Sequence, residues 1–351
     1  MTNEEPEVST FEWTPPGTIP PTGAGSGSDA VPPHAAGDLA DDLLATLENR
    51  GLTAADLVRK VAREACAWLD AEGCPNQGVA TALIESELTL LREAHGWRGP
   101  VARFLTALQA VAAARPDDGG PALREALSTE CARWLDGAPE LLPDRGRCAS
   151  ALLDGGSILP AAGLESGEVI LIHGWSETVA RGVEFAQAKG IVPEIIVSEG
   201  GPDLGGRRLA RRLVASGLSV RFIYDAALVD AVRRVDRLWL GTEAIGARHF
   251  MGRVGTRAVL ERARELDIPS AVIATTDKIT PDGQVTEPTW AADEPWHLWE
   301  GAPYGVTVES QSFEPVPLEL AGAFATNEGL FGALELAKRV SNGPANVPAS
   351  T

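Results

Sequence analysis

Four short loops hold most of the side chains in this chain that could do chemistry. They are His173-Gly174-Trp175-Ser176, the stretch from Ser198 to Arg207, Asp225, and Gly241-Thr242-Glu243. In the second loop, glycines let the backbone come close to an anion. A following helix start offers free N–H groups there, and a guanidinium can chelate phosphate, so Gly206 and Arg207 suit an anionic ligand. The loop matches neither GxGxxG nor GxxxxGK[ST], and the bare pattern reads equally as a glycine-rich turn before an exposed basic helix face. Glu243 and Asp225 follow apolar runs, and as a pair could serve acid–base chemistry or bind sugar hydroxyls. Local signals favour Asp225 as the N-cap of the helix AALVDAV. Ser176 is the natural cap of the helix behind it; a pair with His173 lacks a third member, and GxSxG is absent. Arg253, just before Val254-Gly255-Thr256, and Lys278 could complete a cationic rim, or either could simply be a solvated charge.

The elements that must position these residues read as repeated strand–loop–helix between Val169 and Gly255. Strands are expected at 169–173, 194–198, 219–224, 236–241 and 270–275, and helices at 177–189, 204–216, 226–234 and 254–266. That alternation predicts a mostly parallel sheet with helices packed on it, and such sheets bind ligands beyond the carboxyl ends of their strands. Residues 276–312, with Trp290, Trp296 and Trp299, read as a long excursion before a short strand near 322–326 and a closing helix at 328–340. Upstream, residues 37–150 carry a helical pattern throughout, with helices at 38–51, 53–72, 78–94, 99–114 and 120–136. The fold class is therefore α/β, a helical N-terminal domain (37–150) followed by an α/β domain (151–341). Residues 1–36, rich in Pro, Gly and Ser, and residues 342–351 read as disordered tails.

Bulk properties narrow the function classes. With 351 residues and 44% hydrophobic content the chain can bury one large or two ordinary cores. A formal charge of −19 argues against a nucleic-acid partner and against attraction to a membrane surface. The acidic start MTNEEPEVSTF has no basic or apolar leader signal, and no run of apolar residues is long enough to span a bilayer, so a cytoplasmic protein is expected. Cys66, Cys74, Cys131 and Cys148 lack CxxC spacing and zinc-type histidines, which favours reduced thiols or core residues over metal ligands. No metal and no cofactor is expected.

Taken in order, ILIHGWSETV, VSEGGPDLGGRRLA, IYDAALVDAVRRVDRLWLGTEAI, GRVGTRAVLERARELDIPSAVIATTDKI and FEPVPLEL followed by ATNEG resemble the translation initiation factor 2B alpha, beta and delta subunit family. That family also includes ribose-1,5-bisphosphate isomerase and methylthioribose-1-phosphate isomerase. The resemblance spans about 167 to 340 and implies a Rossmann-like C-terminal domain. It also implies dimerisation through that domain and a phosphorylated-sugar pocket between the two domains. The isomerases of the family place a catalytic cysteine where this chain has Gly174 and a catalytic aspartate where it has Glu243. An expected arginine falls on Gly200 or Gly201, the expected Asn-Lys pair reads Gly252-Arg253, and the Arg-Gly-Ala motif is not evident. Glycine supplies no acid or base, and Glu for Asp moves the carboxylate by roughly 1 Å, enough to cost a large factor in rate. The resemblance thus implies a non-catalytic or regulatory binder of a sugar phosphate or nucleotide phosphate, forming a homodimer or higher homo-oligomer. Its ligand set would be His173, Gly174, Ser176, Gly206, Arg207, Arg253, Gly255, Thr256 and Lys278. The alternative is an aldose–ketose isomerase for a phosphorylated ribose, with Glu243 and Asp225 as catalytic groups in an altered site.

Overall fold

The computed structural model describes Leu39, residues 52–71, Leu83, and residues 88–115, 121–136, 140–154, 164–286 and 298–342. The expected tails (all but Asn342), the expected helix at 38–51 apart from Leu39, Cys74, Trp290 and Trp296 lie outside these residues. The helical part contains α1 (Ala54–Asp70), α2 (Thr89–His95), α3 (Gly99–Ala113) and α4 (Pro121–Leu135). Thr53 caps α1 by accepting from the Asp56 amide at 3.2 Å. One face of α1, Leu57, Val58, Val61, Ala62, Ala65 and Leu69, is buried at helical spacing. It packs into one core with Phe104, Leu108, Leu127 and Trp134, where Phe104 meets Trp134 edge to face at 5.4 Å. A fifth helix, α5 (Gly146–Asp154), was not expected; its Cys148 and Leu152 belong to the core of the sheet.

The strands β1 (Val169–His173), β2 (Glu194–Ser198), β3 (Val220–Ile223), β4 (Arg237–Leu240), β6 (Ser270–Ile273), β8 (Ala323–Thr326) and β9 (Gly329–Phe331) form one sheet in the order β3-β2-β1-β4-β6-β8-β9. All neighbours are parallel except β8 with β9. Period-two packing is plain in β1. Ile170 and Ile172 face α6 (Glu177–Ala188) and α7 (Gly205–Ala215), while Leu171 faces α8 (Leu228–Ala231), α9 (Thr256–Glu265) and α10 (Ala333–Ser341). Covered on both sides, the inner strands are continuous apolar runs.

Three expectations are corrected. Residues 249–253 and 313–317, given no strand from sequence, form an antiparallel ribbon of β5 (His249–Arg253) and β7 (Phe313–Pro317). Residues 329–331 pair as β9 instead of opening the last helix, because the Thr326 hydroxyl donates to Gly329 O at 3.1 Å and accepts the Glu328 amide, closing a hairpin. Helix α10 starts only at Ala333. Strand order reverses between β1 and β4, which opens a crevice at their carboxyl ends.

Candidate functional site

The crevice at this reversal is lined by Arg145, Trp175, Glu243, Arg253, Lys278 and Phe313 among others, and about 40 Å³ of it is open to water. Two tight approaches shape its floor. Ser176 caps α6 by accepting the Val179 amide at 3.3 Å, and a side chain at Gly241 would lie 2.5 Å from the Ser176 hydroxyl. The loop after β1 and the loop after β4 therefore interlock.

Arg253, at the end of β5 and only 8% exposed, reaches the crevice between glycines. A Cβ at Gly174, whose φ is +68°, would stand 2.6 Å from Arg253 Nε and 2.7 Å from Cδ. Cβ atoms at Gly200 and Gly205 would stand 3.5 Å from Arg253 Cδ and 3.6 Å from Nη2. The guanidinium lies 5.2 Å from the Phe313 ring centre and grips Asp203 with both terminal nitrogens, at 2.8 and 3.0 Å.

Glu243 receives Lys278 Nζ at 3.2 Å and has Arg98 Nε at 3.9 Å. Burial alone would raise its carboxyl, but Lys278, Arg98 and Arg253 outweigh burial and hold it below the usual carboxylate range. His173 is buried with both ring nitrogens engaged. Nε2 lies 2.8 Å from Val254 O and Nδ1 lies 2.6 Å from Ser198 Oγ. A carbonyl can only accept, so the ring carries its proton on Nε2, and Nδ1 accepts a hydrogen bond from the Ser198 hydroxyl. Burial lowers its pKa below 6.5, the Val254 bond opposes this, and the Arg253 charge adds to the lowering.

The structure thus brings His173, Ser176, Glu243, Arg253, Thr256 and Lys278 to one crevice, with Gly174 against Arg253. Asp225 does not cap its own helix, as local signals suggested. Its two oxygens accept the Gly200 and Gly201 amides at 2.9 and 2.6 Å, because the loop after β2 arches over the end of β3. Gly206 gives its amide to Glu199 O, and a Cβ there would collide with Ser198 O, so it serves close helix–strand packing. Arg207 is exposed and does not line the crevice. The amide of Gly255 goes to Glu314. His173 and Ser176 bond to other partners, not to each other. Sequence reasoning missed Arg145, Arg98, Asp203 and Phe313. Arg98 and Arg145 come from the helical part, far in sequence from Arg253, Lys278 and Phe313, and only the PDLGG turn hinted at Asp203.

Comparison with known proteins places these observations. The model of the Initiation factor 2 subunit family matches residues 148–333. Ribose 1,5-bisphosphate isomerase of Haloterrigena turkmenica is 30% identical over 182 residues, covering 48% of this chain and 56% of that protein. The chain thus spans about half the length of this curated relative. Methylthioribose-1-phosphate isomerase of Citrobacter koseri is 29% identical over 301 residues, 78% of this chain and 85% of that protein. Among solved structures, the translation initiation factor eIF-2B of Pyrococcus horikoshii superposes with a TM-score of 0.65 at 19% identity, over 84% of this chain and 96% of that one, so the fold is shared.

Proposed function

Because the chain belongs to the initiation factor 2 subunit family, we propose that its crevice binds a phosphorylated pentose or a related small phosphorylated molecule without isomerising it. The observation that carries this reading is the place taken by Arg253. Its stem fills the volume a side chain at 174 would need, so the position where the resemblance sets the reactive thiol has no room for one. Isomerising a sugar needs an acid and a base at the reacting atoms. Here Glu243 is kept ionised by Lys278 and Arg98, which makes it a poor acid and a weak base. Asp225 spends its oxygens on backbone amides, and the Ser176 hydroxyl caps a helix.

Binding is better equipped. Arg145, Arg253 and Lys278 face the same hollow, and of the two acids lining it Glu177 is engaged by Arg181 and Arg212. With Arg98 included, four cations stand against Glu243 and Asp203, so a phosphate would meet a net positive set of forked and point-charge donors. Pairing with a second copy of the chain belongs to the same proposal.

The test is titration calorimetry of the full chain with ribose 5-phosphate and ribose 1,5-bisphosphate, with NMR detection of any ketose. Saturable binding without product is expected. A ketose whose formation stops on Glu243→Gln overturns the reading in favour of an isomerase.

A further inference from the structure

The loop after β2 and the start of α9 have the groups an anion site needs, and the chain's own carboxylates already occupy them. Asp225 takes the Gly200 and Gly201 amides, Glu314 takes the Gly255 and Arg257 amides at 2.9 Å each, and Asp203 takes Arg253. The first two hold backbone N–H groups at turns the fold needs. Asp203 differs, because it faces a full charge in the crevice and presents two oxygens in the fork that two phosphate oxygens would fill.

The two members of this pair are unequally held. Arg253 is enclosed by the glycine-walled channel and the Phe313 ring, and its Nη1 also lies 3.3 Å from Gly200 O and from Gly201 O. The Asp203 side chain is 34% exposed against 8% for Arg253, and the other hydrogen bond described for it is a long one, 3.3 Å, from the Gly205 amide. When an anion enters, the carboxylate can turn out to water while the guanidinium stays.

We propose that Asp203 is a built-in counter-ion for Arg253 that a ligand's phosphate must displace, so that this one carboxylate sets the threshold for phosphate recognition in the crevice. The proposal rests on the reading of the crevice as a phosphate site. In the free protein only the fraction of molecules with Asp203 turned out is competent, and apparent affinity falls by that fraction. A part-exposed ion pair of this kind is worth up to about fivefold in that equilibrium.

Ribose 5-phosphate is the probe, titrated calorimetrically into the wild-type chain, Asp203→Asn, Asp203→Glu and the double variant Asp203→Asn with Arg253→Gln. Asp203→Asn should bind about fivefold tighter, Asp203→Glu within about twofold of wild type, and the double variant should lose the gain. Asp203→Ser carries the same expectation should the amide variant not fold. Wild-type binding that Asp203→Asn and Asp203→Ser leave unchanged or weaken overturns this proposal and leaves the binding reading standing. Absence of binding by every variant overturns both.

Discussion

At position 174 a single methyl group is already too large. The backbone there has φ +68°, and the Cβ would sit 2.6 Å from Arg253 Nε. Left-handed backbone and overpacking each cost about 1–3 kcal/mol, so Gly174→Ala should destabilise by about 2–4 kcal/mol in urea denaturation. If the contact is with Arg253, the double variant with Arg253→Ala loses less than the sum of the singles, by about 1 kcal/mol. Strict additivity would disprove the contact. His173 gives a second prediction. Its native pKa lies below the ordinary 6.5 because burial penalises the imidazolium. The unfolded chain therefore binds a proton near pH 6.5 that the native ring refuses. Stability is complete above that pH and falls below it until the native ring protonates. Glu168, Glu184 and Glu243, also depressed, add their own loss only below their ordinary 4.5. Between about pH 7 and about pH 5 the melting temperature of His173→Gln should thus change less than that of wild type; equal slopes would refute the assignment. At this scale the sequence was informative where a residue follows a strand. Ser176, Glu243 and Lys278 could be placed from their own apolar runs. Asp203 could not, because its partner lies fifty positions away across a sheet edge.

Among the elements, the β5–β7 ribbon delivers Arg253 and Phe313, yet it was not legible. Gly252 interrupts β5, while Pro315 and Pro317 remove donors from β7, and both features argue against strands in any reading by propensity. The prolines are tolerated because they stand opposite Met251 and His249, whose backbone groups bond to residues 243–246 and not to β7. The parallel strands were legible for the opposite reason, since burial on both faces demands unbroken apolar runs. Gly329-Leu330-Phe331 was misread because an apolar triplet beside a helix carries no period of its own. The ribbon also ends a helix: Glu314 on β7 accepts the Gly255 and Arg257 amides at the start of α9, where Gly255 itself provides no side-chain cap. Glu314→Ala should cost about 1–2 kcal/mol by chemical denaturation, as loss of a helix cap does. Glu314→Gln, which keeps an acceptor, should recover about half of that. No loss in either variant would mean that water caps the helix as well.

For the whole molecule, the unexplained feature is the outer side of β3. Among the described residues this strand pairs only with β2, and both its central side chains are exposed. Phe222 is 45% exposed and Tyr224 63%, and Val229 and Val254 are also exposed. An open strand edge flanked by aromatic side chains invites pairing with another chain. A second copy is the partner we propose, since this is the α/β part through which the family resemblance implies dimerisation. The formal charge of −19 works against that pairing, so apolar burial must exceed a repulsion that salt screens. Two consequences follow for light scattering at micromolar concentration. The wild-type chain should be a dimer that tightens as salt rises, the reverse of an interface held by ion pairs. Replacing Phe222 and Tyr224 together by glutamate should weaken it on the order of a hundredfold or more, by lost burial and added charge, while the melting temperature of the monomer hardly changes because neither side chain is in the core. A wild-type monomer, or a dimer indifferent to both substitutions, would place the interface elsewhere and leave this edge without a partner.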